Sequence, residues 1–319
     1  MVELQRNSCF DAAIIIPLRA KAVRQPEMVR LIQLVETLPE GYEVIIVDDG
    51  SPQAVKQWLT HLVEEWQHHS GGHTRRFKLV SLATRFRRFS LARARNAGAR
   101  AAAAPVVLFH DVDFLAAPSV YQRLLRHIKT QQLAAKPENF FCVPVAFLTE
   151  AATVHFMQAF KRHQEAWCFR DRRQLPLESL QFLVQGSSCI VMNRKDLLSI
   201  GGHDEGFKGH GAEDFELLHR LACRFPIAEK PPEYERNMGS GTVTEYRGFR
   251  AYFALYGEQC RQAGCTLVHL WHPKRKGFGY YRHKQNFKRL QQVMTNQLPV
   301  ERRPPTISPA VLLDEATHG

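Results

Sequence analysis

The 319-residue sequence contains no run of 18 apolar residues, so no membrane-spanning helix is expected. Its opening, MVELQRNSCFDAAIII, has an acid at Glu3 and only a short apolar run, which is not the form of a secretory signal. The seven cysteines (Cys9, Cys142, Cys168, Cys189, Cys223, Cys260 and Cys265) are scattered, odd in number and without a CxxC pair. That argues against a disulfide frame and for reduced thiols in a cytosolic protein. No G-x-G-x-x-G follows the first apolar run, so the pyrophosphate turn of a nucleotide-cofactor dehydrogenase is missing. No internal repeat is visible. Acids are the scarcer charge: 31 Asp and Glu face 43 Lys and Arg, a net charge of +12. The imbalance favours an anionic partner, whether nucleic acid, phospholipid headgroups or a phosphorylated substrate. Core material is ample, since 45% hydrophobic residues suffice for one large domain or two modest ones.

The positive charge is concentrated in RRFKLVSLATRFRRFSLARARN (75–96) and HPKRKGFGYYRHKQNFKRL (272–290). The second cluster is interleaved with Trp271, Phe278, Tyr280, Tyr281 and Phe287 and ends in a helical pattern. It suits an anionic membrane surface, which predicts peripheral docking on the inner face of the plasma membrane.

The chain opens as alternating strands and helices. DAAIIIPL (11–18), YEVIIVDDGSP (42–52), FKLVSL (77–82) and PVVLFHDVD (105–113) read as buried strands. Between them, 26–38 has helical spacing behind Pro26, 54–66 repeats that spacing, and 90–104 is alanine-rich. This β-α-β-α-β-α-β order predicts a mostly parallel sheet with helices on both faces. Ligands in such sheets bind beyond the carboxyl ends of the strands, where IIIPLR, VDDGS and HDVD all fall. Further on we expect helices at 119–128, 151–169, 212–225 and 245–262 and strands at 140–148, 187–193 and 265–270. Loops are expected at 171–179 and 201–211, and Gly201 and Gly202 suit the C-terminal cap of a helix in DLLSI.

FHDVDFL (109–115) poses a specific question, because it ends an apolar run in acids. On an extended chain, side chains alternate, so Asp111 and Asp113 share one face. Two carboxylates on one face repel unless a cation lies between them or water screens them. Either a divalent-metal site or a solvated loop before Pro118 satisfies that.

IIIPLR, VDDGS, ARNAG, HDVDF, GSSCIVMNRKDLLSIGGHDEGF and GHGAEDFELLHRL follow one another in the chain. In that order they resemble the family 2 glycosyltransferases of GT-A fold, notably capsule and chondroitin-type polymerase domains and polypeptide N-acetylgalactosaminyltransferases. The resemblance implies a Rossmann-like, mixed but mostly parallel sheet flanked by helices. It implies a nucleotide-sugar and acceptor-binding catalytic domain over 1–225. The C-terminal part of that domain, with a basic helical extension, would occupy 226–298, and a loosely held tail 299–319. It further implies an inverting, metal-dependent transfer of a sugar from a UDP-sugar donor to a hydroxyl of a glycan or lipid-linked glycan acceptor, in capsule or other surface polysaccharide synthesis.

The roles it implies fit the residue types. Pro17, Arg19 and Asp49 would flank the base and ribose, although Asp48, Asp49 and Ser51 also suit a helix cap. Arg95 and Asn96 would face the nucleotide, as an arginine fork suits phosphate. Arg85, Arg87, Arg88 and Arg93 read as solvated, and Gly98 as a close helix–sheet contact. Asp111 and Asp113 would hold Mn²⁺ or Mg²⁺, which neutralises the leaving diphosphate. His272, or as second choice His269, would be a third ligand. Asp214 would be the general base and Glu213 would bind acceptor hydroxyls, although acids at a helix start also answer its dipole. Asp204, with Glu205, would lie beside the acceptor. Gly186 and Ser187 would approach the donor sugar through their backbone. His210-Gly211-Ala212 departs from the Trp-Gly frequent in related enzymes. Two rival readings are a basic nucleic-acid-binding protein using 272–290 and an inactive glycan-binding relative. Acids at three strand ends would repel nucleic-acid phosphates from the cleft.

Overall fold

The computed structural model describes residues 10–69, 76–161, 177–186, 188–239, 243–274 and 281–296. Ser187, the segment 275–280 and the tail 299–319 therefore lie outside the described residues.

The N-terminal part alternates as the sequence predicts: β1 (Ala12–Leu18), α1 (Pro26–Thr37), β2 (Tyr42–Asp48), α2 (Gln53–His69), β3 (Arg76–Ser81), α3 (Leu91–Ala101) and β4 (Val106–Phe109). β1 and β2 are buried along their whole length, as expected of strands covered on both faces. α1 begins at Pro26, whose fixed φ suits the first helical turn. The N-cap Ser90 of α3 accepts a hydrogen bond from the Arg93 N–H at 3.3 Å.

After β4 come β5 (Phe114–Leu115), α4 (Pro118–Thr130), β6 (Phe141–Cys142), β7 (Val145–Leu148), α5 (Glu150–Lys161), β8 (Leu180–Val184), β9 (Ile190–Asn193) and α6 (Arg194–Ser199). The C-terminal elements are α7 (Glu213–Arg224), β10 (Asn237–Met238), α8 (Gly248–Gln262), β11 (Leu267–His269) and α9 (His283–Met294). The main sheet has the order β3-β2-β1-β4-β9-β6. β1 to β4 are parallel and β9 runs antiparallel to both β4 and β6. A second sheet, β5-β11-β7-β8, stands beside it.

The structure departs from expectation in several places. The single strand expected over 140–148 is two strands in different sheets, β6 and β7, and Pro144, which has no N–H to donate to a ladder, lies between them. β8, a short run whose residues are mostly half-buried or exposed, pairs with β7 where no strand was expected. β4 ends at Phe109, so the acids that follow it are not on a strand.

Three glycines set local geometry at two places. A Cβ on Gly98 would lie 2.4 Å from Ile15 Cγ2 and 3.0 Å from Val47 Cγ2, so its absence lets α3 lie directly on β1 and β2. Gly201 and Gly202, at φ +86 and +71, close α6 by donating to the carbonyls of Leu198 and Leu197 at 3.1 and 2.9 Å.

Candidate active site

β1, β2 and β4 end on one edge of the main sheet, and a cavity opens at the β1 and β4 ends. Its walls include Pro17, Arg19, Asp111, Asp113, His269 and His272. The two acids reach it from a turn in which the Phe114 N–H donates to the Asp111 carbonyl at 3.0 Å. They therefore do not alternate along an extended chain, and their carboxylates take different partners. His110, which precedes them, is structural. It is buried, its Nε2 lies 3.0 Å from the Tyr121 hydroxyl, and desolvation pushes its pKa down to about 4.

Asp111 is held by Arg95 of α3. The Arg95 guanidinium, 0% exposed, reaches Asp111 Oδ1 at 3.0 Å and Glu213 Oε1 at 3.1 Å. Burial opposes the charge of Arg95, but Asp111, Glu213 and Asp214 more than restore it. Burial would likewise raise the Asp111 carboxyl, yet the guanidinium outweighs it and holds Asp111 below the usual carboxylate range. Glu213 ends differently: burial, with Asp214 adding like charge, pushes it up to about 7 against the pull of Arg95. Its second oxygen accepts from the Gly211 N–H at 3.1 Å. Asp214 follows in the first turn of α7, is itself buried, and acts electrostatically on Arg95, Arg250 and His283. Asp214 does not line the cavity that holds Asp111 and Asp113; Glu213 and Arg95 join the two places.

Asp113 faces a pair of imidazoles. Among the described residues, the ligand atoms of Asp113, His269 and His272 all lie within 4.8 Å of one another. Asp113 Oδ2 stands 3.5 Å from His272 Nε2, while Oδ1 is paired with Arg30 of α1. Arg30 also donates to the Trp271 carbonyl at 2.8 Å, which ties α1 to the segment after β11. Burial pushes His269 down to about 4, so it is neutral, as a ligand must be, and it stacks on Phe147 at 4.3 Å. One carboxylate and two imidazoles fit a divalent transition ion, and the imidazoles favour Mn²⁺ over the oxygen-seeking Mg²⁺. The expected pair of acids is thus divided: Asp113 and both histidines form the cluster, and Asp111 sits at its edge on Arg95.

Asp49 is fully buried and is not a wall of the cavity. Its carboxylate accepts from the Thr84 hydroxyl at 2.6 Å, the Ser90 N–H at 2.9 Å and Arg93 at 2.7 and 2.9 Å. Arg19 donates to the Asp49 carbonyl and to the Thr84 and Arg87 carbonyls at 3.1 and 2.8 Å. Asp48 provides the cap, accepting from the Ser51 N–H at 3.0 Å. Arg93 is therefore not the solvated arginine expected. A signal for it was present in the sequence: a cation at the third position of a helix opposes the dipole and calls for a carboxylate. Arg30 had no such signal, as an arginine in an amphipathic helix reads as solvent-facing.

Other expected site residues lie away from the cavity. The Asn96 amide donates to the His203 carbonyl and to Glu205 Oε1, both at 2.9 Å, and its oxygen accepts from the His203 N–H at 2.7 Å. Asp204 is buried and pairs with Arg289 of α9 at 2.9 Å. Both thus fasten the 201–211 loop. A Cβ on Gly186 would lie 2.3 Å from the Phe253 carbonyl oxygen, so its close approach is to α8. Where Trp-Gly is frequent in related enzymes, His210 lines the cavity and meets Tyr281 edge-on at 5.5 Å.

Acids and imidazoles gathered beyond the carboxyl ends of parallel strands define a ligand-binding α/β protein. Residues 13–297 match the family described as Glycosyltransferase like family 2, and the chain belongs to that family. A validoxylamine A glucosyltransferase of Streptomyces hygroscopicus subsp. limoneus is 26% identical over 201 residues, covering 58% of this chain and 42% of its own length. That of S. hygroscopicus subsp. jinggangensis (strain 5008) is 24% identical over 225 residues, covering 66% and 50%. The chain spans about half the length of these curated relatives. Among solved structures, the mannosyltransferase PcManGT from Pyrobaculum calidifontis, in complex with GDP-Man and Mn²⁺, aligns at TM-score 0.43 and 17% identity over 83% of this chain and 58% of that one. S. aureus TarS 1–349 in complex with UDP aligns at TM-score 0.43 and 15% identity over 66% and 55%.

Proposed function

We propose that the chain is an inverting, metal-dependent glycosyltransferase that moves a sugar from a UDP-sugar to a hydroxyl of a glycan acceptor. The observation that carries this reading is the Asp113–His269–His272 cluster, in one cavity with Asp111, joined through Arg95 to the turn that bears Asp214. Asp113, His269 and His272 would hold Mn²⁺, which supplies positive charge to the leaving diphosphate. Arg95 stays charged and orients Asp111. Pro17 and Arg19 wall the donor side, and Asp49 fixes Arg19 and Arg93 behind it.

In the transfer, the acceptor oxygen forms a bond to the anomeric carbon as the bond to the diphosphate oxygen breaks. The nucleoside diphosphate leaves with the electron pair, and the acceptor proton passes to Asp214. Glu213 has one oxygen on Arg95 and the other on the Gly211 N–H, while Asp214 Oδ1 accepts from the Phe215 N–H at 3.0 Å; we assign the base role to Asp214 on the resemblance of GHGAEDFELLHRL to the family. Direct displacement of this kind inverts the anomeric centre and needs no covalent intermediate. The test is Asp214→Asn in a UDP-release assay with a panel of UDP-sugars and Mn²⁺. A fall of roughly a hundredfold or more, with donor binding kept, is expected; wild-type turnover in the variant overturns the assignment.

A further inference from the structure

A second cavity adjoins the first, and Phe89 is a wall of both. Its volume of about 410 Å³ is that of a small-molecule site. Five cations line it, Arg87, Arg88, Arg93, Lys208 and Arg282, against one acid, Glu205. Arg93 is engaged with Asp49 at 2.7 Å, and Glu205 with Asn96 at 2.9 Å. Among the described residues, the other four cations have no carboxylate within ion-pair distance. Like charges gathered around one cavity repel, and a multivalent anion between them relieves that repulsion.

The walls are built rather than loosely apposed. Ser90 and Gly209 pair as an isolated parallel bridge, and so do His210 and Tyr281. Asn286 of α9, a buried side chain, donates to the Lys208 carbonyl at 3.1 Å and to the Gly211 carbonyl at 2.8 Å. Lys208 and Arg282 are therefore fixed by their backbones on neighbouring segments that line one opening. Guanidinium forks together with an ammonium suit a phosphate, which accepts several charge-assisted hydrogen bonds at once.

We propose that this second cavity binds a phosphate group carried by the acceptor, so that the chain glycosylates a phosphorylated acceptor. That the phosphate belongs to an acceptor rests on the transferase reading above; the anion site itself does not.

The experiment is calorimetric titration of the purified chain with inorganic pyrophosphate in the presence of chelator, so that no divalent ion recruits the probe to the first cavity. Lys208→Ala/Arg282→Ala should bind at least about tenfold more weakly than wild type. Arg88→Ala, which removes one cation instead of two, should show a smaller loss, and Asp113→Ala no change. Equal affinity in wild type and the double variant overturns the site. So does a matching loss of UDP affinity in the double variant, because the cavity would then belong to the donor. If wild type binds pyrophosphate as expected but no UDP-sugar with Mn²⁺, the anion site stands and the transferase reading falls.

Discussion

Arg95 and Asp111 form a 3.0 Å ion pair in which the arginine is wholly buried and the acid is 28% exposed at the cavity wall. The same guanidinium spans 3.1 Å to Glu213, so a single cation couples the turn after β4 to the first turn of α7. Its removal leaves two acids facing each other with nothing between them, one of them buried.

Arg95→Met should therefore lower the unfolding free energy by about 3–5 kcal/mol. Adding Glu213→Gln should recover part of the loss, because the buried repulsion is then removed. Urea denaturation of the single and double variants measures both. A loss below about 1 kcal/mol in the single variant would mean that the ion pair contributes little to the fold.

Glu213 makes stability depend on pH with a definite sign. Its folded pKa of about 7 lies above the ordinary 4.5, so within that window the folded chain keeps a proton that the unfolded chain releases. The contribution is fully present below pH 4.5, declines as pH rises and is gone above about 7. Against Glu213→Gln, the wild type should lose stability by up to ~1.4 kcal/mol more per pH unit between pH 5 and 7. Parallel stability curves for the two proteins would contradict the raised pKa.

The carboxylate–imidazole cluster should answer to metal. Mn²⁺ at about a hundred times its Kd should stabilise the chain by about 2.7 kcal/mol, and chelator should reverse it. His269→Ala should weaken Mn²⁺ binding by about tenfold or more, since one of three clustered protein donors is lost. Thermal unfolding with and without Mn²⁺ reads both; a wild-type response in His269→Ala would remove that histidine from the ligand set.

Gly98→Ala should cost about 1–3 kcal/mol, because the new methyl meets Ile15 and the helix must lift from the sheet. Thermal denaturation of the variant checks this, and in an Ile15→Ala background, which lacks the γ carbons that the new methyl meets, the further cost of Gly98→Ala should be smaller. An unchanged midpoint in Gly98→Ala would show that α3 tolerates the displacement.

The parallel half of the fold was legible because β1, β2 and β4 are covered on both faces and so read as unbroken apolar runs. The second sheet was not. β5 is a two-residue strand, and β8 keeps only one of its five residues buried, so neither carries a period that the sequence displays. Of the residues singled out in the sequence, Asp111, Asp113, His269 and His272 meet at one cavity, and Glu213 and Asp214 open α7. Their partnerships did not, because each depends on a contact between distant parts of the chain. Arg30 with Asp113 and Arg95 with Glu213 are instances. The alternation expected of Asp111 and Asp113 failed for a local reason, as the strand stops two residues before the first acid.

The last helix has a bearing on where the working unit of this chain stops. Through Arg289 it grips Asp204, and through Asn286 it fastens the peptides of Lys208 and Gly211, just upstream of the turn that presents Asp214. A protein cut just before α9 would retain its acids, its imidazoles and both sheets yet lose the strap over its glycine-rich loop. The helix at 283–294 is thus a brace for the loop beside the cavity, and a frameshift near residue 281 would remove it.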